Sequence, residues 1–155
     1  MNHRIVKILI LFAAFMGGCG VSFAAGDDID AHRSCDNCGM DRKAYGFSRM
    51  LIVYADGGEV GVCSLHCAVV ELDANRGRTV KALFVADRDT GKLVAAARAT
   101  WVMGGSKRGV MTPLAKWAFE NRGAAEAFIA SYGGNLVSWE EAVGAARKGA
   151  APKAP

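Results

Sequence analysis

The 155-residue sequence predicts an α+β fold, because short runs rich in β-branched and aromatic residues alternate with segments of helical periodicity. The first two strand-like runs are joined by Asp56-Gly57-Gly58, which has the backbone freedom of a hairpin turn. Ser64 then precedes a run with Leu65, Val69 and Leu72 on one helical face, which is typical of a capped helix. The length suffices for one compact domain with a core of its own.

The first half is predicted to be ordered as strand, strand, helix, strand, strand. A polar tether at 27–34 precedes them, and the elements are predicted at 47–55, 60–63, 65–75, 80–86 and 93–102. The second half loosely repeats the strand-helix-strand order. Its loop, apolar piece, helix, strand and final helix are predicted at 104–109, 117–119, 124–131, 135–138 and 139–147.

Residues 1–24 are predicted to be an export signal, with Arg4 and Lys7 before an apolar core too short to span a bilayer, which takes about 20 residues. Two cleavage sites remain open. Met16-Gly17-Gly18-Cys19 is similar to a bacterial lipobox, and its cleavage would leave Cys19 acylated, as a lipid anchor in the membrane. Cleavage after Ala24 would give a soluble periplasmic protein.

The working domain is predicted at 25–147, followed by an Ala-, Lys- and Pro-rich tail at 148–155 that is predicted to be disordered. The whole chain has a formal net charge of +4, and two of its cations lie in the leader. So small an excess argues against nucleic acid as a partner.

Two cysteine clusters carry the candidate chemistry, Cys35-Asp-Asn-Cys38-Gly-Met40 and Cys63-Ser-Leu-His66-Cys67. Thiolate and thioether sulfur favour Cu(I), whereas imidazole suits copper and zinc alike. The Cys-x-x-Cys spacing fits a zinc knuckle, a redox dithiol or a disulfide hairpin. Because exported proteins meet an oxidising environment, two structural disulfides are a further interpretation of the four cysteines.

Cys63 at the end of a strand and Cys67 in the first helical turn can face one point in space. A helix N-terminus favours the thiolate, so a lowered pKa is expected there. His66, between them, either turns to the same point or faces water. Met103 and Met111 flank the glycine-rich loop, and Met111 is a candidate ligand because it lies outside any periodic apolar stripe.

Four segments in this order resemble the NosL family, the copper-binding accessory lipoproteins of nitrous oxide reductase maturation. They are Cys38-Gly-Met40, Trp101-Val-Met-Gly-Gly-Ser, Gly109-Val-Met111 and Ala125-Glu-Ala-Phe-Ile-Ala-Ser-Tyr-Gly-Gly134. The resemblance runs from about Ser34 to Val143. It implies two small strand-strand-helix-strand units, export, and binding of one Cu(I) without enzymatic turnover. It also implies delivery of copper to an apo-copper enzyme such as nitrous oxide reductase.

On this resemblance the Cys-x-Met ligands fall on Cys38 and Met40, with Met111 as the third candidate. The chain departs from the family pattern at Val110, where proline is usual, and in its additional cysteines, whose spacing is similar to TRASH or YHS modules. The full candidate set for Cu(I), or alternatively zinc, is Cys38, Met40, Met111, Cys35, Cys63, Cys67 and His66. A structural protein held by zinc or disulfides is the alternative function, and a thiol-disulfide oxidoreductase is a weaker one.

Overall fold

The structure is a computed structural model that describes residues 27–150. Two small antiparallel sheets are each accompanied by a helix. The elements are α1 (Asp27–Ala31), β1 (Met50–Tyr54), β2 (Glu59–Val62), α2 (Leu65–Ala74), β3 (Val80–Ala86), β4 (Leu93–Ala95), β5 (Thr100–Met103), β6 (Lys116–Phe119), α3 (Arg122–Tyr132), β7 (Asn135–Val137) and α4 (Trp139–Ala150). No helix within these residues has the length and apolarity to cross a membrane.

The two halves share one topology. The first sheet has the order β2-β1-β3-β4 and the second the order β6-β5-β7. In each half the first strand is central, its hairpin partner lies on one side, and the strand that follows the helix lies on the other. The predicted α+β class, with two strand-strand-helix-strand units, is confirmed.

The hairpin of β1 and β2 forms where its turn was predicted. Gly57 has φ +88°, a conformation that glycine adopts without steric cost, and Tyr54 N donates to Gly58 O at 2.8 Å. Four of the five residues of β1 are buried, as expected for a strand with neighbours on both sides. Burying an aliphatic side chain such as Ile52 contributes about 1.5–3 kcal/mol, so this strand anchors the first unit.

The two units share one core. The largest cluster of buried side chains contains Cys35, Cys63 and Cys67 from the first unit together with Trp101 and Val110 from the second. The helices α2 and α4 also pack against each other. The cysteines therefore lie where the two units meet.

The predicted polar tether at 27–34 is wrong in its first part. Residues Asp27–Ala31 form α1, and the Asp28 side chain is fully buried between two equally buried guanidinium groups, those of Arg42 and Arg49. A polar segment was expected to be solvated, but a carboxylate can be buried where two cations compensate it.

Two other boundaries differ from the predictions. The predicted strand at 93–102 is broken by a 3-10 turn, Ala96–Arg98, so that β4 and β5 belong to different sheets. Trp101 Nε1 donates to Ala96 O at 2.8 Å and fixes this corner. The final helix α4 extends to Ala150, so residues 148–150 of the predicted disordered tail are helical. The predicted signal peptide with Cys19, and residues 151–155, lie outside the described residues.

Candidate metal centre

The first two cysteines lie in a tight loop closed by backbone hydrogen bonds. Cys35 N donates to Met40 O at 2.8 Å, and Gly39 N donates to Cys35 O at 2.8 Å. Gly39 has φ +77°, in the left-handed region that favours glycine. An isolated bridge between Ser34 and Asp41 continues the closure. We call residues 35–40 the knuckle, and its sequence folds this way because Gly39 permits the turn after Cys38.

The knuckle docks on the edge of β2 through Asp36. Asp36 N donates to Gly61 O at 2.9 Å, and Gly61 N donates to Asp36 Oδ2 at 2.8 Å. The approach is close, since a Cβ at position 61 would lie 2.4 Å from His32 Cβ and 2.8 Å from Arg42 Cζ. Glycine at this position therefore leaves room for His32 and the Arg42 side chain against β2, two residues before Cys63.

The other two cysteines lie at the junction of β2 and α2. Cys63 follows β2, and its carbonyl accepts from Ser48 Oγ at 2.7 Å. Ser64 occupies the predicted N-cap position of α2, but its side chain makes no capping bond and instead accepts from Cys63 Sγ at 3.8 Å. Cys67 follows in the first turn of the helix. The two sulfurs face the same point, as their spacing predicted, with Sγ atoms 3.6 Å apart.

All four Sγ atoms of Cys35, Cys38, Cys63 and Cys67 lie within 4.8 Å of one another. The Cys38 Sγ to Cys63 Sγ distance is 3.6 Å, far beyond the disulfide length of about 2.0 Å, and all four cysteines are free. Four sulfurs at about 2.3 Å from one tetrahedral ion would be separated by roughly 3.8 Å. The four thiols thus fit around a single ion, and we call them the four-thiol cluster.

Burial within the cluster is uneven. Cys35, Cys63 and Cys67 are at most 2% exposed, whereas Cys38 on the knuckle is partly exposed. Three of the four thiols therefore lie in the core and one lies near the surface.

The thiols divide their protons unequally. Hydrogen bonds from Cys63 and then Cys67 lower the pKa of Cys35 far below its ordinary value. The same contact with Cys35 raises the pKa of Cys63 and raises the pKa of Cys67 to about 12. The expected lowering of the pKa of Cys67 by the helix N-terminus is therefore wrong, because the Cys35 thiolate lies in the same cluster and a second charge beside it is unfavourable.

The remaining candidate ligands lie around the cluster. Met40 closes the knuckle through its carbonyl, and its partly buried side chain packs on the core that holds the cysteines. Met111 is 44% exposed and has φ +57°, which is uncommon for a residue other than glycine. Its neighbour Val110 is buried in the same core cluster as the cysteines and lines a pocket with Ser64 and His66, next to the helix that carries Cys67.

His66 is not part of the four-thiol cluster. It lines a small pocket with Ser48, Thr112 and Lys116. Burial, and then the charge of Lys116, lower the pKa of His66, while burial lowers the pKa of Lys116. The imidazole is therefore neutral at neutral pH.

Sequence reasoning missed the residues that position the cysteines. Arg42 follows the knuckle in a charged stretch of sequence, yet its side chain is completely buried and donates to five oxygen atoms. Asp36 also gave no signal beyond its place between two cysteines. The roles of Arg42 and Asp36 become visible only in the structure, where both residues bond to the β1–β2 hairpin.

Fold and site together define a cysteine-rich α+β protein whose four-thiol cluster is suited to a metal ion. The NosL family profile matches residues 26–146, most of the chain, and the chain belongs to the NosL family.

A solved structure has the same fold. The crystal structure of the copper chaperone NosL from Shewanella denitrificans aligns with a TM-score of 0.57 at 24% sequence identity, covering 73% of this chain and 91% of that chain. No curated protein sequence is significantly similar to this chain.

Proposed function

We propose that this chain is an exported Cu(I)-binding accessory protein that carries copper at the four-thiol cluster. The observation that carries the proposal is the convergence of four free Sγ atoms within 4.8 Å. Thiolate sulfur is the donor that Cu(I) prefers, so the cluster would hold the ion firmly in its reduced state. Membership of the NosL family and the fold shared with a copper chaperone support this assignment.

Release of copper is proposed to begin at Cys38. This residue is the one cluster member that is partly exposed, and it lies on a loop rather than on a strand or helix. An incoming sulfur or nitrogen ligand can approach the ion from this side, while Cys35, Cys63 and Cys67 are shielded by the core. Transfer is then an exchange of ligands and needs no enzymatic turnover.

Met40, Met111 and His66 are proposed as auxiliary ligands during this exchange. Met40 adjoins the exposed edge of the knuckle, and Met111 is exposed on a loop whose Val110 packs beside the cysteines. Thioether sulfur binds Cu(I) without losing a proton, which suits a transient ligand. The proposed recipient is an apo-copper enzyme such as nitrous oxide reductase, and a lipid on Cys19 would hold the carrier at the membrane.

The test is anaerobic titration of the reduced protein with Cu(I) in competition with a chromogenic chelator. We expect one Cu(I) per chain in a sulfur-only shell by X-ray absorption. Cys38→Ser and Cys67→Ser should each weaken binding by at least about 100-fold, while Met103→Leu, at a methionine outside the candidate set, should not. Zinc uptake without Cu(I) binding stronger than that of the Cys38→Ser, Cys67→Ser double variant would reject the proposal.

Delivery has a separate test. Copper-loaded protein is mixed with apo-nitrous oxide reductase, and the copper content of the separated reductase is compared with that obtained from a copper-chelator complex of equal affinity. We expect faster transfer from the protein, and slower transfer from Met111→Leu. Equal rates from protein and chelator would show a copper store rather than a carrier.

A structural zinc site is the second candidate function, favoured by the 3.6 Å sulfur separations and the burial of three cysteines. Closed four-cysteine sites of this geometry commonly hold zinc and contribute directly to folding. Metal removal separates the two functions. A carrier retains its circular dichroism spectrum as the apo-protein, whereas a zinc-dependent fold loses it.

A further inference from the structure

A buried triad of charged residues lies behind the metal centre. The Asp28 carboxylate accepts two hydrogen bonds. Its Oδ2 accepts from Arg42 Nη2 at 2.6 Å, and its Oδ1 accepts from Arg49 Nη2 at 2.8 Å. All three side chains are at most 2% exposed. A net buried charge of one cation is costly, and replacing such groups by apolar residues often leaves a protein as stable or more stable. Stability alone therefore does not explain the triad.

The Arg42 guanidinium links the two strands of the β1–β2 hairpin at the end away from the turn. Its Nε donates to Val62 O, and its Nη2 donates to Met50 O. Val62 and Met50 are paired in the register of β1 and β2. Its Nη1 donates to the backbone carbonyls of Asp28 and His32. Val62 directly precedes Cys63, so Arg42 fixes the strand end from which that ligand projects.

The backbone of Arg42 belongs to the other half of the metal centre. Arg42 N donates to Arg33 O at 2.9 Å, next to the bridge between Ser34 and Asp41 that closes the knuckle. One residue thus ties the loop of Cys35 and Cys38 to the strand end at Cys63. Its own orientation depends on the Asp28 carboxylate, which is in turn held by Arg49.

We propose that Asp28 is a positioning residue for the four-thiol cluster, acting through Arg42 to set the knuckle against the end of β2. The proposal rests on the proposed metal-binding function. It makes α1 part of the metal-binding unit, although no residue of that helix belongs to the cluster.

The experiment compares Asp28→Asn with Asp87→Asn in the full chain. Asp87 is a comparably buried carboxylate that accepts from Asp89, Thr90 and Glu120, and its hydrogen bonds do not include Arg42. Both variants lose a buried charge, so both are destabilised, but only the first acts on Arg42. Each protein is loaded with Co(II), whose visible absorption reports tetrahedral thiolate coordination, and then challenged with excess chelator.

We expect Asp28→Asn to change the Co(II) spectrum and to release the metal at least about ten-fold faster, as for other residues that support metal ligands. Asp87→Asn should keep the wild-type spectrum and rate, and Asp28→Glu should restore part of the wild-type rate because it keeps the carboxylate. Wild-type spectrum and release in Asp28→Asn would overturn the proposal.

If Asp28→Asn does not fold, Arg42→Lys takes its place, since it keeps the charge and loses the contacts to Val62 and Met50. A wild-type spectrum and release rate in Arg42→Lys would equally overturn the proposal. Failure of the proposed function is separate, because it would appear as absent Cu(I) binding in the wild-type titration. The Co(II) comparison reads only the geometry of the thiols.

Discussion

At the residue scale, the protonation of the cysteines determines how the cluster takes up metal. The raised pKa values of Cys63 and Cys67 mean that both are thiols at neutral pH, and both must lose a proton to bind as thiolates. Binding should therefore release at least two protons per metal ion, and the apparent affinity should rise with pH. The hydrogen bonds that stabilise the Cys35 thiolate also raise the pKa values of Cys63 and Cys67. They therefore weaken metal binding in acid.

Calorimetry in buffers of different ionisation enthalpy measures the released protons. Cys67→Ser should release fewer protons than the wild type, because its hydroxyl keeps the proton that the Cys67 thiol loses on binding. Metal binding at pH 7 with no net proton release would contradict the assignment of these thiols as ligands.

Gly61 gives a second prediction at this scale. A Cβ there would lie 2.4 Å from His32 Cβ and 2.8 Å from Arg42 Cζ, so Gly61→Ala should displace the β2 edge from the packed residues behind it. Overpacking of this kind costs about 1–3 kcal/mol, measurable by chemical denaturation. Gly77→Ala is the control, because no atom lies within 4 Å of its added Cβ. Equal stability of the two variants would show that β2 can move away without cost.

At the scale of elements, the predictions succeeded where the signal was local. The hairpin of β1 and β2 depends on Asp56-Gly57-Gly58, and α2 begins directly after Ser64, so a few neighbouring residues determine each. The break between β4 and β5 depends on the burial of Ala96 and its contact with Trp101, which no local pattern shows.

The candidate site was predictable in its parts but not in its assembly. The sequence identifies the cysteines as soft ligands, but their convergence depends on contacts such as Asp36 to Gly61, 25 residues apart. The position of α1 also depends on contacts between distant residues, since Asp28 pairs with Arg42 and Arg49, 14 and 21 residues further along the chain. A single sequence shows the charges of these residues and not their pairing.

The docking of α1 gives a prediction for stability in acid. Burial alone would raise the pKa of Asp28, but the hydrogen bonds and charges of Arg49 and Arg42 outweigh it and lower the pKa. The resulting stabilisation is present above the unfolded-state pKa of about 3.9 and is lost as the pH falls through the lower folded-state pKa. Asp28→Asn, which leaves two buried cations unpaired, should cost about 3–5 kcal/mol at neutral pH.

Denaturant titrations from pH 7 to pH 2 measure this effect. The difference between wild type and Asp28→Asn should stay constant down to about pH 4 and shrink below it. If the difference in the free energy of unfolding does not depend on pH, the Asp28 side chain stabilises the fold by packing and not by its charge.

At the scale of the whole molecule, the four-thiol cluster is part of the hydrophobic core. Cys35, Cys63 and Cys67 belong to the same buried cluster as Trp101 and Val110 of the second unit, and α4 packs on the helix that carries Cys67. A ligand that binds only the folded state stabilises it by about 4 kcal/mol at 1,000 times its Kd. For a chain of this size that corresponds to an increase in Tm of about 8–16 °C.

Cu(I) loading of the reduced protein should therefore raise the Tm of the shared core and of the second cluster, which contains Trp117 and Phe128, together. The tryptophans report this selectively, because Trp101 packs at 5.4 Å from Trp139 of α4, whereas Trp117 packs in the second cluster with Phe128. Fluorescence of a Trp101→Phe, Trp139→Phe double variant, which reports Trp117, and of Trp117→Phe, which reports the shared core, should show coincident transitions in the loaded protein. Cys38→Ser should show a smaller increase. A rise in Tm confined to the signal of Trp101 and Trp139 would mean that the metal stabilises the shared core and not the second cluster around Trp117.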